Sequence, residues 1–454
     1  MSDAQFIRLV LRLVRNWWNF ALLVCVVLAG NLSAQETPLT REQVIEQMKP
    51  YAGSHVNGVD VSTLTGKVMC GYQGWFAAPG DGSGSNWVHY GENRHLFAPG
   101  HCTFDLWPDV NELGADEKFS TAFTNQDGST AYVFSPCKSN TVLRHFQWMR
   151  DYRIDGVFLQ RFGTDLKFAA GFNHNNLVAA NVQAGANQCG RTWAMMYDLS
   201  GLQPGEIQKF VADDWKLLVD RMKITSDRAY LHDHGKPVVA VWGIGFNDGR
   251  KYSLDECEAL IRFLKSDPKY GGNTVMVGVP AWWRTLDHDA VSEPKLLEII
   301  QLADIISPWN VGRYRNSAEA GMQATNRIQP DIAWCQANGK DYLPVIFPGF
   351  SWHNLMKTRG QNSPVNEIPR RQGNFLWAQA VADRREGATM LYTAMFDEID
   401  EGTAIFKCTD NPPSGESPFV TFEGLPSDHY LWLTGQIGKM LRQEIPATDT
   451  LPAR

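Results

Sequence analysis

Thr192-Trp193-Ala194-Met195-Met196-Tyr197-Asp198 is a near-continuous apolar run. Pro204–Met222 follows with apolar residues three and four apart, and then a second run, Pro237-Val238-Val239-Ala240-Val241-Trp242, entered through Gly235-Lys236. The first pattern is that of a strand covered on both faces, the second that of a helix with one apolar stripe. Together they make a strand–helix–strand unit, and the unit recurs along the chain. Further strands are expected at Lys67–Tyr72, Gly156–Phe162, Thr274–Val279, Asp304–Trp309, Tyr342–Phe347 and Thr389–Phe396. Between them, helical spacing marks Val142–Tyr152, Asn176–Ala184, Leu254–Leu264, Lys295–Leu302, Ala318–Asn338 and Gln372–Glu386, with Ser253 placed to cap the helix from Leu254 and Gly387 just past the last. This strict alternation predicts an α/β protein of the (β/α)8 TIM-barrel type over residues 65–408. No glycine-rich dinucleotide fingerprint opens a helix, which disfavours an open doubly wound sheet.

Outside the barrel pattern, residues 35–64 read as a leader with a short helix (Thr40–Met48), and residues 409–454 as a loop and helix (Asp428–Arg442) packed back on the barrel. The stretch Ala77–Ser139, rich in Gly, Asn, Asp and aromatics, reads as a long loop insertion after the first strand, folded over one barrel mouth. At the amino end, Arg8, Arg12 and Arg15 precede an apolar run from Trp17 to Gly30 and then Leu32-Ser33-Ala34. That is the order of a signal peptide, and the run is shorter than the roughly 20 residues that span a bilayer. Residues 1–34 are therefore expected to direct export, to a secreted or periplasmic location, with an uncleaved membrane anchor as the alternative. Beyond them lie Cys70, Cys102, Cys137, Cys189, Cys257, Cys335 and Cys408, an odd set in which export permits one to three disulfides and a free thiol.

The chain has 454 residues with a net charge of -7, so no basic face is offered to nucleic acid or to an anionic membrane. An uncharged partner suits that balance better. Sixteen Trp, many beside Gly or Pro, serve equally well as core anchors and as platforms for sugar rings.

Barrel enzymes carry their reacting groups at the carboxyl ends of the strands. After the last expected strand comes Phe396-Asp397-Glu398-Ile399-Asp400-Glu401-Gly402-Thr403, with four carboxylates in five positions. Such crowding raises carboxyl pKa values, and one protonated and one ionised carboxyl is what glycosidic cleavage requires. On pattern alone the turn also reads as a solvated acidic loop, or as oxygen ligands for Ca2+ in a calcium-stabilised structural barrel.

Thr393 to Thr403 resembles the closing-strand motif of glycoside hydrolase families 71 and 99, which in family 99 reads F-N-E-W-H-E-G-T. Cys70-Gly71-Tyr72-Gln73-Gly74-Trp75-Phe76 resembles the family's first strand, and Asp155-Gly156-Val157-Phe158 its second. Gly235-Lys236-Pro237-Val238 looks like the lead into the fourth, and Phe347-Pro348-Gly349-Phe350-Ser351-Trp352 like the seventh. The resemblance implies a retaining attack on α-linked sugars of an oligo- or polysaccharide, without an organic cofactor or metal. It places Glu398 as the base on the sugar 2-hydroxyl and Glu401 as the acid and then base at the leaving oxygen. Asp397, Ile399 and Asp400 stand where family 99 has Asn, Trp and His, so the acid has different neighbours; a carbohydrate-binding barrel without activity is the alternative.

Tyr72, Gln73, Trp75, Trp87, Trp309, Trp352, Asp397 and Asp400 are the candidate substrate-binding residues, being aromatic or polar groups at or beyond strand ends. Asp105–Glu112, Asp198 and Trp282-Trp283-Arg284 are more distant candidates. His232-Asp233-His234 enters the barrel from the opposite end and reads as a capping or surface group. No nucleophile elbow and no H-E-x-x-H motif supports ester or peptide hydrolysis.

Overall fold

In the computed structural model, which describes residues 39–454, a parallel sheet closes into a ring. Its strands are β1 (Val68–Tyr72), β2 (Gly156–Phe162), β3 (Thr192–Asp198), β4 (Lys236–Trp242), β5 (Thr274–Pro280), β6 (Ile305–Trp309), β7 (Asp341–Tyr342 and Val345–Ile346) and β8 (Leu391–Thr393). A two-residue strand, His232–Asp233, adds antiparallel to β4. Since β7 is in two pieces, the ten-stranded sheet holds eight barrel positions. Each pairs in parallel with the next, and β8 pairs with β1 (Cys70↔Thr393) to close the ring. The expected (β/α)8 barrel is what forms.

The break in β7 has a simple cause. Pro344 has no N–H to give to a ladder, so the strand cannot run through it. The piece before it pairs with β6, and Leu343 N–H donates to the Ile306 carbonyl (2.9 Å). The piece after it pairs with β8, and the Pro344 carbonyl accepts from Tyr392 N–H (3.0 Å). The seventh strand thus joins its neighbours in relay.

Between the strands lie α1 (Ser139–Asp151), α2 (Ala169–Cys189), α3 (207–222), α4 (Leu254–Ser266), α5 (Lys295–Leu302), α6 (317–337) and α7 (Asn374–Arg385). Ser253 caps α4 by accepting from Glu256 N–H, with Glu256 returning the bond as a capping box. α2 begins seven residues before the expected Asn176. Apolar spacing misses its first turns because Asn173, His174 and Asn176 are buried there and hydrogen-bond inward. A final helix, α8 (His429–Leu441), buries Tyr430, Leu431, Leu433 and Ile437, and Leu39–Arg454 forms one compact unit. The export signal expected in residues 1–34 lies outside the described residues. Among those described, no helix is long and apolar enough to cross a membrane.

The insertion after β1 carries an antiparallel hairpin, Phe119–Thr124 with Thr130–Val133. Its aromatics make a small core of their own: Phe97, Trp107 and Phe123 pack with centroids 5.0–6.4 Å apart, and Phe419 joins Trp107 at 5.3 Å. Within the barrel wall, Arg161 is buried against Asp214, with Nε and Nη2 2.7 and 2.6 Å from its two oxygens, and the Tyr197 hydroxyl donates to the same carboxylate.

The cysteines differ from expectation. All seven are free and buried with no disulfide between them, Cys70, Cys189, Cys257 and Cys335 on β1, α2, α4 and α6 and the other three in loops. Burial makes each behave as a small apolar side chain and disfavours its thiolate, pushing Cys102 up to about 11 and Cys257 and Cys335 to about 12.

Candidate active site

The acidic segment leaves β8 at the carboxyl end of the barrel and turns sharply. Thr403 and Ala404 N–H donate back to the Glu398 carbonyl (3.1 and 2.9 Å), and Phe396 N–H donates to Gly71 on β1 (2.7 Å). Gly402 completes the turn at φ +63°, where a Cβ would sit 2.8 Å from the Ser351 nitrogen. A side chain there would meet backbone, so the position needs glycine. The Glu401 carbonyl accepts from Ser351 N–H (2.9 Å), and the Arg370 guanidinium donates to the Gly402 and Ala404 carbonyls. The insertion also grips the segment, Asp105 N–H donating to the Ile399 carbonyl (3.1 Å).

The carboxylates face different surroundings. Asp397 is fully buried and accepts Gln73 N–H (2.7 Å) on one oxygen and Gly74 N–H (2.9 Å) on the other. Two donors suit two acceptor oxygens, which an Asn side chain does not offer. Burial still outweighs these bonds and pushes Asp397 up to about 7, with Asp400 adding to the effect. Glu398 accepts from Gln73 Nε2 at Oε1 (2.8 Å) and from the Thr403 hydroxyl at Oε2 (2.7 Å). Burial, then the charges of Glu401 and Asp400, hold it well above the usual carboxylate range. Glu401 is half-buried and its carboxyl accepts no hydrogen bond from the described residues. Burial and Asp400 push it up to about 7, while Arg359 pulls the other way. Asp400 Oδ2 is 2.9 Å from His89 Nδ1, and its Oδ1 is buried without a partner.

Asp397 and Glu398 already accept N–H or O–H donors on both oxygens, leaving few lone pairs for a hard cation, and among the described residues the carboxylates of this turn do not bring three ligating atoms within 4.8 Å of one another. Two other groups of side chains bring metal-ligating atoms close together. Asp81, Cys137 and His174 are buried with these atoms within 4.8 Å of one another. There His174 Nδ1 meets Cys137 Sγ at 3.2 Å, and the Asp81 oxygens accept from Ala78 and Ser83 N–H and from the Ser83 and Ser135 hydroxyls, so hydrogen bonds use the set fully. Asp233, His234 and Asp341 form the other, with exposed His234 between the two carboxylates at the opposite end of the barrel.

Of the expected binding residues, Gln73, Asp397 and Asp400 gather with the glutamates. Tyr72 does not. It alternates with Gln73 along the strand, so it points out of the barrel, where it is fully buried and its hydroxyl bonds His145 Nδ1 (2.8 Å) on α1. Trp75 stays in the site, but one face is covered by His89, with centroids 3.9 Å apart and planes 4° from parallel. Trp87 packs against Phe97 and Tyr90 in the insertion. Trp309 stands edge-on to Trp242 (5.5 Å), and Trp352 donates its N–H to Glu367 (2.9 Å); both remain half-exposed. Asp198 binds Gln160 and Ser200, and Asp105 accepts from Ser351 Oγ and from His353 and Asn354 N–H, pinning the start of a helix at His353–Thr358.

Sequence reasoning missed His89 and Thr403. His89 lies in a long loop with no periodic or motif signal, and only the fold brings it to Asp400. Gln73 Oε1, Trp75 Nε1 and Asp400 Oδ1 are buried and unpartnered among the described residues, and such a cluster is filled by water or ligand hydroxyls.

No family model matches the sequence, and no curated protein matches it. Solved structures do. The chain is similar to the GH99 endo-α-mannosidase from Bacteroides thetaiotaomicron in complex with bis-tris-propane, with TM-score 0.57 and 14% identity over 84% of this chain and 99% of that one. It is also similar to a further structure of the GH99 endo-α-mannosidase from that organism, with TM-score 0.56 and 16% identity over the same shares. The fold is that of the GH99 endo-α-mannosidases. At this identity the likeness is one of architecture, and it agrees with the family 99 resemblance of the β8 motif. TIM-barrel enzymes place their reacting groups at the carboxyl ends of the strands, and Glu398 and Glu401 stand at that end.

Proposed function

We propose that the protein is an exported glycoside hydrolase that cleaves α-linked glycans, with Glu398 and Glu401 as its paired carboxyls. The observation that carries this reading is the contrast between the two glutamates at one strand end. Both are pushed above the usual carboxylate range, yet only Glu398 accepts hydrogen bonds from neutral donors, which favour its anion. The donors from Gln73 and Thr403 single out Glu398 as the carboxyl better placed to stand as the anion, and Glu401 has no such support among the described residues. Glu398 is then the base and Glu401 the acid.

In the retaining route that the family 99 resemblance implies, Glu398 takes the proton of the sugar 2-hydroxyl as that oxygen attacks the anomeric carbon and closes an epoxide-like ring. Glu401 gives its proton to the departing glycosidic oxygen. Water then attacks the anomeric carbon, losing its proton to Glu401, and the ring opens as the 2-oxygen recovers its proton from Glu398. Gln73 and Thr403 hold the Glu398 oxygens in place through both steps.

The test is hydrolysis of a panel of α-linked oligosaccharides (mannan, 1,3-glucan, and xylose- and arabinose-bearing glycans) by protein starting at residue 35. Release of one sugar class, lost in Glu401→Gln, is the expected result, and proton NMR of the first-formed anomer reports retention. Turnover unaffected by Glu401→Gln rules out the assignment. Export is read from the mass of the mature protein, for which cleavage after Ala34 is expected.

A further inference from the structure

We propose that His89, supplied by the insertion, reads a substrate hydroxyl through its Nε2 while Asp400 and Trp75 hold its ring in place. The inference rests on the glycosidase reading of this site and adds to it a residue that neither the motif nor the barrel strands provide.

Several independent features meet at His89. Its backbone lies at φ +59°, a left-handed conformation that residues with a side chain adopt infrequently, and such a conformation persists where the surroundings impose it. The Thr103 hydroxyl fixes the same residue by donating to its carbonyl (2.8 Å). The ring lies flat on Trp75, 3.9 Å away and 4° from parallel. Its Nδ1 is 2.9 Å from Asp400 Oδ2, two positions beyond Glu398 and adjacent to Glu401.

The chemistry of the imidazole then follows. A carboxylate accepts and cannot donate, so Nδ1 carries the proton in the bond to Asp400. In the neutral ring that leaves Nε2 as a lone-pair acceptor. Nε2 bonds nothing among the described residues and is not among their buried unpartnered atoms, and the side chain is 36% exposed. The ring is thus clamped on one face and on one edge, with its acceptor edge free. A hydroxyl group is the matching ligand, and sugars present hydroxyls at close spacing. Covering Trp75 with His89 also replaces a purely apolar platform by one with a directional acceptor, so this wall of the cleft discriminates by hydroxyl position as well as by ring shape.

Two measurements test this. The first needs no substrate: nitrogen-15 NMR of the imidazoles, with His89 assigned by its loss in His89→Gln. The expected state is the Nδ1–H tautomer in the wild type. In Asp400→Asn, which can turn an amide N–H toward Nδ1, the Nε2–H tautomer is expected. A wild-type His89 found with Nε2 protonated overturns the inference.

The second uses the oligosaccharide that the panel identifies, together with its monodeoxy analogues. His89→Ala is expected to lose roughly three- to tenfold in kcat/KM, the worth of one hydrogen bond. One deoxy analogue should then be turned over equally by wild type and variant. Equal sensitivity of both proteins to every deoxy analogue overturns the inference while leaving the glycosidase reading intact. Should the wild type cleave nothing, the glycosidase reading fails separately. A glycan array then decides: binding by wild type that His89→Ala loses supports the role of His89, and binding retained by the variant, or absent from both, overturns it.

Discussion

Gln73 Nε2 donates to Glu398 Oε1 at 2.8 Å across the seam where β1 meets β8, joining residues 325 apart in sequence. The same residue's backbone N–H donates to Asp397 at 2.7 Å. One residue at the end of the first strand therefore orients two successive carboxylates at the end of the last. This is possible because ring closure puts β1 and β8 side by side in parallel register. The carboxylates are positioned by the barrel itself, and the insertion adds a further contact through His89.

Thr403 supplies the other half of the Glu398 environment, its hydroxyl 2.7 Å from Oε2. A donor to a carboxylate favours the anion, so Thr403→Val removes support from the charged form and raises the Glu398 pKa further. The expected outcome is an acidic limb of the kcat/KM profile displaced upward by about one pH unit, since a hydrogen bond to a charged group is worth about 1.5 kcal/mol. A limb that stays in place would show that Thr403 serves the turn alone.

On the proposed assignment Glu401, pushed up to about 7, must keep its proton to act on the leaving oxygen, so wild-type kcat is expected to fall as pH rises through neutrality. Glu401→Gln should lower kcat on sugar leaving groups by about 10²- to 10⁴-fold and abolish that basic limb. Aryl glycosides with acidic leaving groups need little protonation, and their first step should lose far less. Steady-state and burst kinetics on the two substrate types distinguish this from general damage to the fold, which would slow both alike.

Arg161 and Asp214 form a pair at 1% and 0% side-chain exposure, so neither charge has water to fall back on. Asp214→Asn leaves the guanidinium buried without its anion, at an expected loss of about 3–5 kcal/mol in unfolding free energy. Asp213→Asn, whose side chain is 56% exposed and pairs with Lys216, is the control and should stay within about 0.5 kcal/mol. Comparable losses for both, measured by urea unfolding, would mean that the buried pair carries no special weight.

How much of this was legible in the sequence depended on whether a residue's role showed in local pattern. All the barrel strands were, because a strand buried on both faces is an apolar run whatever its neighbours. The acidic turn was too, since a strand end followed by carboxylates needs only the barrel rule to interpret. Pro344 is visible in the apolar run Tyr342–Phe347, yet the run alone reads as one strand, and the missing N–H is what splits β7. Tyr72 and Gln73 stand together at the end of β1, and strand alternation sends one to the helix layer and the other into the site. The amino-terminal turns of α2 were hidden because their inward face is Asn and His rather than apolar. His89 left no trace: its contacts with Trp75 and Asp400 are made by a long irregular loop, where neither period nor spacing encodes the partner. The cysteines mislead because an export signal permits disulfides without requiring them, and each of the seven thiols is buried free.

Asp383 on α7 offers a last test, one of the barrel wall rather than the site. It is buried with Oδ2 unpartnered among the described residues, and burial pushes it up to about 8 against the pull of Arg327. Its folded pKa lies above its unfolded value of about 3.9. The protonated form is therefore the stable one in the fold. Its contribution is complete below about pH 4 and is lost progressively as pH rises toward 8, at up to about 1.4 kcal/mol per pH unit. Asp383→Asn keeps the shape and cannot ionise, so its Tm should decline less steeply than the wild type's between pH 5 and 8. The two curves should cross, with the variant the more stable at the alkaline end. Parallel Tm curves would mean that Asp383 is already ionised in the fold, with its charge balanced by Arg327.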